Sequence, residues 1–413
     1  MRRNDFERIA SWCGLIWFFI SINPFFIWFF PRSYCMVFGT LLVMGATFLL
    51  DRVDSLVLNK SRLLLVGMIV LVSIFTLLKG EYVSLFIKYV PFIFIVLWRN
   101  QVLYNIYELF RKWMIFFAIG GLCISLLSIV NVLHYLPSFD MPSQSSIQEM
   151  HGIFNRIYGC FVTNVEIKTT TDIVRACGPL QEPGHFAIFL GIVYYIDMLL
   201  QRKRNMWIIF CGIMTFSFNF LFMLLLAECC HAIMNGTYIK LLKFGFVGTI
   251  ILSIVFFLLP SKIQEQVLYM AYERNLETVV ETGMQKGLVG ALAERTNDAG
   301  EIAYSHFFNS NSNVWFGIEE TFDDGKTVLS DYRGIIINKG YIGFLLIVFL
   351  MLISVRSKIW ILSIGFFMIE LLVLLHRSWM LNHSYIFFIV FCGIATFYHY
   401  ETQKLKYEVC DRK

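Results

Sequence analysis

Charged residues are scarce in this chain of 413 residues: they make up 15% of it, against about 25% in a soluble domain. Hydrophobic residues make up 58%, and apolar runs of roughly 20 residues recur along the whole length. This balance excludes a soluble globular protein. Because the runs are continuous rather than alternating in polarity, the pattern also excludes a β-barrel.

Metal-binding cysteine patterns and basic clusters are missing as well. The ten cysteines include no C-x-x-C pair, so we expect no zinc site and no metal cofactor. Lysine and arginine are scattered over short loops instead of forming one basic face, which argues against a nucleic-acid partner. Cys160 and Cys177 share one predicted outer loop, where a disulfide and two separate thiols are both open.

The apolar runs predict an all-α, polytopic membrane protein with about twelve transmembrane helices, forming a single integral membrane domain over residues 1–413. The run at 206–234 is too long for one perpendicular helix, and Thr215, Ser217 and Asn219 interrupt it. It predicts a tight hairpin of two short helices, with one long tilted helix as the alternative. The predicted spans are 12–30, 34–50, 63–78, 82–98, 113–133, 184–200, 206–220, 221–234, 241–259, 335–354, 359–375 and 384–398.

The distribution of positive charge sets the orientation. With twelve spans and a cytoplasmic N-terminus, the inner loops hold 20 Lys and Arg in 71 residues, and the outer loops hold 12 in 139. Cytoplasmic loops are enriched in these residues. We therefore expect both termini in the cytoplasm.

Two predicted outer loops are large. The first, 134–183, begins with a stretch rich in Ser, Pro and Gln. The second, 260–334, has apolar residues at helical spacing in its first half, which predicts an amphipathic helix lying on the membrane or covering a cavity. The loops therefore provide the extracytoplasmic part of the protein.

The densest polar cluster of the chain closes the first outer loop, in the stretch RACGPLQEPGH from Arg175 to His185. Pro183 is tolerated in the first turn of a helix, so a span begins near residue 184, and its N-terminus favours an anion. Arg175 can hold phosphate oxygens in a bidentate contact, and Glu182 and His185 can move protons. The alternative is a structural ion pair between Arg175 and Glu182.

The residues of this cluster carry a resemblance. Arg175, Gly178, Glu182, Pro183 and Ala187 form an R-x-x-G-x-x-x-E-P-x-x-x-A pattern before a transmembrane helix, and this resembles the bacterial O-antigen polymerase/ligase superfamily, which includes the Wzy-type repeat-unit polymerases. The polar-interrupted segment TFSFNFLF at 215–222 is similar to the segment that follows this helix in the family. SDYRGIIINKGYIGF at 330–344 resembles the end of the family's second long loop, with Gly340 and Gly343 as its glycines.

One departure from the family bears on activity. A histidine typically opens the closing segment in the ligases, and residues 329–333 contain none. The resemblance therefore implies a polymerase, with Arg333 as a second cation. It also implies a location in the bacterial inner membrane, an undecaprenyl-pyrophosphate-linked oligosaccharide donor, an extracytoplasmic active site and, as a further partner, a chain-length regulator. Asp331 is the second candidate base after Glu182, and Tyr332 is a candidate substrate contact.

Other ionisable residues within or beside the spans are further candidates, because such residues are costly in a membrane. Lys88 either extends to the outer headgroups or provides a third phosphate contact. Arg377 either reaches the substrate or is a lone surface residue. Glu228 is expected to make a local hydrogen bond with His231. Glu370 is expected to pair with Arg377 or His376.

The reaction expected from this resemblance is the joining of lipid-linked repeat units into O-antigen, capsule or exopolysaccharide chains. Two alternatives stay open. An O-antigen ligase has the same fold, and a flippase or transporter belongs to a different class. The transporter is disfavoured because it would place charge along several helices at the bilayer midplane. In this sequence the charge is concentrated outside the spans.

Overall fold

The computed structural model describes residues 3–78, 82–141, 153–166, 174–200, 204–258, 261–268, 298–309, 314–317, 331–382 and 384–410. It is predominantly helical, as the sequence predicts. The described residues form two compact units, 1–110 with 295–413, and 111–294. Helix α6 runs through the boundary between them.

Six helices among the described residues are long and apolar enough to cross a membrane. They confirm a helical membrane protein. Shorter apolar helices cover 82–96 and 183–199. The six are Arg32–Asp51, Lys60–Leu78, Asn100–Ile129, Phe218–Asn235, Tyr332–Ser354 and Trp360–Leu381.

The first unit contains the N-terminal and C-terminal helices. Its core is aromatic: the rings of Phe18 and Phe110 meet edge to face at 5.0 Å, and the Trp98 indole donates to Thr47 Oγ1 at 2.9 Å. Such pairs add specificity to burial in a helical bundle. Its helices are α1 (Arg3–Ser21), α2 (Arg32–Asp51), α3 (Lys60–Leu78), α4 (Tyr82–Lys88), α5 (Val90–Val96), the start of α6 (Asn100–Ile129), α12 (Asp298–Asn309), α13 (Tyr332–Ser354), α14 (Trp360–Arg377) and α15 (Tyr385–Cys410).

The second unit is organised around a mostly apolar helix that is buried along its whole length. Its elements after α6 are β1 (Phe139–Met141), β2 (Ile153–Tyr158), β3 (Phe161–Glu166), β4 (Arg175–Gly178), α7 (Pro183–Leu199), α8 (Met206–Met214), α9 (Phe218–Asn235), α10 (Tyr238–Leu258) and α11 (Ser261–Leu268). Every residue of α7 except His185 is buried. A helix that is apolar on all sides is stable only when neighbours surround it, so α7 is the centre of this unit.

The run 206–234 is interrupted as predicted, but the break lies at residues 215–217 and not between 220 and 221. Helix α8 ends at Met214 and α9 begins at Phe218, and residues 215–217 form the turn. The two helices run antiparallel, because Gly212 abuts the Phe220 ring near the turn and Arg204 pairs with Glu228 further along. The segment is therefore a hairpin, whose first helix has only nine residues.

A four-stranded antiparallel sheet in the predicted first outer loop was not expected from the sequence. Its strands follow the order β1-β2-β3-β4, with Asp140 opposite Arg156 and Asn164 opposite Arg175. The Tyr158–Phe161 pair closes a two-residue turn in which Gly159 has φ +61°. Glycine at the first central position is typical of the type II′ hairpin turn, and this is the sequence signal that identifies β2 and β3.

The amphipathic helix predicted in the second outer loop is described only in part. Helix α11 covers its beginning, and α12 lies later in the loop. Residues 269–297, which include most of the predicted helical half, lie outside the described residues.

Candidate functional site

Arg175, the first residue of β4, is bonded to the turn of the α8–α9 hairpin. Its Nε donates to the Thr215 carbonyl oxygen at 2.9 Å, and its Nη2 donates to the Phe216 carbonyl oxygen at 3.3 Å. These carbonyls follow the last turn of α8, where a helix leaves acceptors unsatisfied and where positive charge is favourable. Both acceptors are neutral, so the two bonds orient the guanidinium without cancelling its charge.

This contact joins two of the stretches singled out in the sequence. The R-x-x-G-x-x-x-E-P stretch supplies Arg175, and the polar-interrupted segment 215–222 supplies both acceptors. Phe216 has φ +47°, a conformation that non-glycine residues adopt rarely. The turn is thus strained at the point where the arginine holds it.

Gly178 forms the turn that leads from β4 to α7. The Cys177 carbonyl accepts from Leu180 N at 3.0 Å, which places Gly178 and Pro179 at the centre of a β-turn. Gly178 has φ +61°, and proline fixes its own φ near −65°, so the turn is of type II′. A Cβ on Gly178 would lie 2.6 Å from the Phe186 ring. Glycine is therefore required here both by the backbone conformation and by the close packing.

Glu182 and His185 lie at the N-terminus of α7. Glu182 occupies the N-cap position, and its carbonyl accepts from His185 N at 3.2 Å. The Glu182 carboxylate lies 3.5 Å from His185 Nε2, and both side chains are half-buried, being 23% and 13% exposed. A carboxylate next to an imidazole at a partly accessible position is an arrangement that can accept and pass on a proton.

Cys160 and Cys177 are both free thiols. Cys177 is buried in β4, and Cys160 lies in the β2–β3 turn. Burial raises the pKa of both thiols; at Cys177 the nearby Arg175 charge opposes this rise, and the Glu182 carboxylate adds to it. The disulfide left open by the sequence is not formed.

Two ion pairs lie near the C-terminal end of α7. Arg111 Nε lies 2.8 Å from both carboxylate oxygens of Asp197. Arg204 binds both oxygens of Glu228, at 3.0 and 2.9 Å, and this contact raises the pKa of Arg204. The hydrogen bond expected between Glu228 and His231 is not the contact found: Glu228 binds Arg204 and accepts from the hydroxyl of Tyr194 at 2.6 Å.

The first unit holds Asp331 and Arg333 as a tight pair. Asp331 is the N-cap of α13 and is fully buried, and its carboxylate accepts from Arg333 N at 2.9 Å. Arg333 Nη2 lies 2.6 Å from Asp331 Oδ2, and its Nε lies about 3 Å from both oxygens. Bidentate pairing of this kind fixes the orientation of a guanidinium.

The Asp331–Arg333 pair has neighbours that the sequence did not reveal. Ser378 Oγ donates to the Asp331 carbonyl oxygen, and the Arg333 guanidinium lies 5.9 Å from the Tyr304 ring centre. Burial, with the nearby Tyr332 and Tyr341 phenols, raises the pKa of Tyr304 to about 12, against the effect of Arg333. Ser378 and Tyr304 are distant in sequence from the pair, so only the fold brings them to it.

Two of the sequence expectations about this unit are corrected. Arg377 is not a lone surface residue: it is 4% exposed, and it directly precedes Ser378. Glu370 does not pair with Arg377 or His376; its Oε1 accepts from Ser354 Oγ at 3.2 Å. Helix α14 ends at Arg377 and continues as a 3₁₀ segment over Ser378–Asn382, which packs the predicted loop inward.

Lys88 and Tyr332 also lie in this unit. Lys88 is the last residue of α4, half-buried, and its carbonyl accepts from Ser384 Oγ. Tyr332 is the first residue of α13 and packs in a cluster with Phe307, Ile336 and Ile337.

Helix α13 is broken at Gly340, the first glycine of the stretch 330–344. Gly340 has φ +66° and ψ −177°, a conformation essentially restricted to glycine. The amides of Tyr341 and Ile342 donate to the carbonyls of Val314 and Trp315 at 3.0 and 3.1 Å. A segment of the second outer loop thus satisfies the donors that the break exposes.

The predicted site residues therefore fall into two groups. The second unit holds Arg175, Gly178, Glu182 and His185, and the first unit holds Lys88, Asp331, Tyr332, Arg333 and Arg377. Comparison of the chain with protein-family models, curated proteins and solved structures gives no match.

Proposed function

We propose that this protein is a polymerase of the O-antigen polymerase/ligase type, a glycosyltransferase that joins undecaprenyl-pyrophosphate-linked oligosaccharides on the outer face of the membrane. The observation that carries the proposal is the bond between Arg175 and the hairpin turn at Thr215 and Phe216. Two stretches that resemble the same family lie forty residues apart in sequence, and they contact each other through the Arg175 guanidinium, which the contact orients.

The anion-binding part of the proposal combines this cation with a helix end. Arg175 begins β4, and four residues separate β4 from α7. Gly178 packs against the Phe186 ring, which keeps the strand next to the first turn of the helix. A guanidinium and a helix N-terminus both favour phosphate oxygens. In our proposal they hold the lipid pyrophosphate and stabilise the charge that develops as it leaves.

The proposed reaction is a displacement at the anomeric carbon of the growing chain. A hydroxyl of the incoming repeat unit forms the new carbon–oxygen bond, and the bond from the anomeric carbon to the lipid pyrophosphate breaks. The pyrophosphate leaves with the bonding electron pair. The hydroxyl proton passes to Glu182, the first candidate base, and the adjacent imidazole of His185 offers a second acceptor for it.

Asp331 and Arg333 receive different roles in this proposal. The resemblance implies a second cation, for which Arg333 is the candidate. Asp331 is buried and already binds Arg333 through both carboxylate oxygens. We therefore propose that Asp331 orients the Arg333 guanidinium and does not abstract a proton. Lys88, Tyr332 and Arg377 are candidates for further substrate contacts.

The proposed membrane placement has twelve spans and cytoplasmic termini in the inner membrane. It is supported by the order of charges along α7. Arg175 is near its N-terminal end, which the sequence assigns to the outer side, and the Arg111–Asp197 and Arg204–Glu228 pairs are near its C-terminal end. Membrane lipids and a chain-length regulator are the proposed partners beside the lipid-linked substrate.

The test uses a strain that lacks the native protein and is complemented with variants. Arg175→Ala and Arg333→Ala are expected to abolish long glycan chains while leaving single repeats on the surface, when the variants are compared at matched protein levels. Arg156→Ala is the control, because Arg156 lies in the same sheet as Arg175 and forms its ion pair with the exposed Asp140. Long chains in both site variants would refute the phosphate assignment.

The same strain separates the alternatives. For a polymerase, deletion leaves single repeats on the cell surface. For a ligase, finished chains accumulate on the carrier lipid and fail to reach their acceptor. For a flippase, lipid-linked repeats accumulate on the cytoplasmic face.

A further inference from the structure

A cavity of about 670 Å³ lies at one end of the first unit, at a distance in sequence from all the candidate catalytic residues. It is formed by the beginning of α3, the loop between α13 and α14, and the middle of α15. All the charged residues that line it fall in the predicted inner loops 51–62, 355–358 and 399–413, and the apolar lining residues belong to the adjoining ends of the predicted spans. The cavity therefore belongs to the predicted cytoplasmic end of the unit.

The walls of this cavity are strongly biased towards positive charge. Lys60, Arg356 and Lys358 line it, and Glu401 is the one carboxylate among its lining residues. Within the described part of the chain, no carboxylate lies within ion-pair distance of any of the three cations. Lys358 Nζ instead lies 5.9 Å from the Tyr398 ring centre, in a cation–π arrangement. Three cations that share one cavity repel each other unless an anion lies between them.

Neutral donors complete a phosphate-binding surface. The Ser61 and Ser357 hydroxyls line the cavity. Helix α3 begins at Lys60, and Asn59 Oδ1 accepts from Arg62 N at 2.9 Å as its N-cap. The helix therefore directs its positive end and its first amides towards the region where the cations gather.

A neighbouring cavity provides a contrast. It has a volume of about 460 Å³ and shares Tyr398. Its arginine, Arg99, lies 3.5 Å from the buried Glu7 carboxylate and is neutralised there. The excess of positive charge is thus a property of the larger cavity.

We propose that the cavity lined by Lys60, Arg356 and Lys358 binds a phosphate-bearing anion at the cytoplasmic end of the helices. Two sources have this chemistry: the headgroup of an anionic phospholipid and a soluble phosphate compound. Basic pockets between transmembrane helices on the cytoplasmic side are suited to anionic lipid headgroups. The inference is independent of the proposed glycosyl transfer.

The test measures ligand retention by the full-length protein purified in neutral detergent. Native mass spectrometry with phosphatidylglycerol, and with phosphatidylcholine as the uncharged comparison, reports the lipid source. Thermal unfolding with inorganic phosphate reports the soluble source. We compare the wild type with Lys60→Gln/Arg356→Gln/Lys358→Gln and with a matched triple variant, Arg8→Gln/Arg52→Gln/Lys112→Gln. The matched variant removes equal charge from exposed positions of predicted inner loops that do not line the cavity.

We expect preferential retention of phosphatidylglycerol, or stabilisation by phosphate, in the wild type and in the matched variant. The cavity variant should bind about fivefold more weakly for each cation removed. Should it fail to fold, Arg356→Gln/Lys358→Gln changes only the loop and tests the same point. Equal losses in the two triple variants, or no preference for either phosphate ligand in the wild type, would overturn the proposal.

Discussion

Arg175 Nε lies 2.9 Å from the carbonyl oxygen of Thr215. Arg175, the first residue of β4, therefore also caps the C-terminal end of α8. The bond has a structural and a chemical consequence. It fixes the hairpin turn, and it fixes the direction of a guanidinium that we propose for substrate binding. These two roles have to be separated by experiment.

Replacement of Arg175 by lysine separates them. Lysine keeps the charge but presents no planar fork, so it cannot hold both carbonyls in the same geometry. We expect Arg175→Lys to lose about 1–3 kcal/mol of stability, the usual cost of leaving a buried acceptor unsatisfied. Thermal unfolding of the purified protein measures this loss, and chain length on the cell surface measures activity.

The two readouts give distinct outcomes. A stable Arg175→Lys protein that makes no long chains supports substrate binding. An unstable protein whose long chains return at low growth temperature indicates that the arginine acts only through the hairpin turn.

A second prediction concerns the glycines of the first outer loop. Gly178→Ala places a residue at φ +61° and a Cβ 2.6 Å from the Phe186 ring. Gly159→Ala has the same φ but no atom within 4 Å of the new Cβ. The backbone cost of about 1–2 kcal/mol applies to both variants. Gly178→Ala should therefore be the more destabilising, by the additional cost of the clash between its Cβ and the Phe186 ring.

A double variant isolates that packing term. Gly178→Ala with Phe186→Leu should recover stability relative to Gly178→Ala, because the smaller side chain leaves room for the methyl group. Chemical unfolding of the wild type, Gly178→Ala, Phe186→Leu and the double variant measures the difference. If Gly159→Ala costs as much as Gly178→Ala, close packing against Phe186 is not what selects glycine.

Much of the helical architecture follows from local patterns, and the site geometry does not. The 206–234 hairpin was predictable because its polar residues fall in the middle of an apolar run that is too long for one helix. The contact of Arg175 with the hairpin turn was not predictable, because it joins two backbone carbonyls to a side chain forty residues earlier. Every residue has a backbone carbonyl, so the sequence does not show which carbonyls accept a side-chain hydrogen bond.

Burial of polar residues is hidden for the same reason. Arg377 follows an apolar run and lies in the short predicted loop 376–383, which is typical of a surface position. A 3₁₀ segment at Ser378 places it inside and brings the Ser378 hydroxyl to Asp331. The four strands escaped prediction because apolar spans dominate the chain, although Gly159 marks their hairpin.

A third prediction distinguishes orientation from proton transfer at Asp331. Asp331→Asn removes the partner of a guanidinium that is only 12% exposed. Breaking a buried pair from one side costs about 3–5 kcal/mol, whereas removing both partners costs less. We therefore expect Asp331→Asn/Arg333→Gln to be more stable than Asp331→Asn alone, as measured by thermal unfolding.

The single variant Asp331→Glu provides the functional control. It keeps a carboxylate but displaces it by one methylene group from the N-cap position. If Asp331 orients Arg333, Asp331→Glu should shorten the glycan chains without shifting the pH dependence of polymerisation. A shifted pH profile would indicate that the carboxylate takes the proton.

A fourth prediction concerns the break in α13. Gly317 and Gly340 both have positive φ, and each packs against the backbone of the other segment: a Cβ on Gly317 would lie 2.6 Å from the Ile337 carbonyl oxygen. We expect Gly317→Ala and Gly340→Ala to separate the Val314–Gly317 segment from α13. Limited proteolysis should then cut near residue 315. Gly45→Ala and Gly67→Ala are controls, because nothing lies within 4 Å of their new Cβ atoms.

The last prediction tests the orientation in the membrane with the native cysteines. Cys160 lies in the turn between β2 and β3, in a loop that we place outside, and Cys177 is buried in β4. Burial raises the pKa of both thiols, so labelling with a membrane-impermeant maleimide is best carried out at mildly alkaline pH. In intact spheroplasts we expect label on Cys160, and none on Cys177 until the protein is unfolded. Cys160→Ser should remove the signal, and Cys410, on the predicted cytoplasmic side, should react only after lysis. Labelling of Cys410 in sealed spheroplasts, with Cys160 protected, would reverse the proposed orientation and with it the outer location of Arg175.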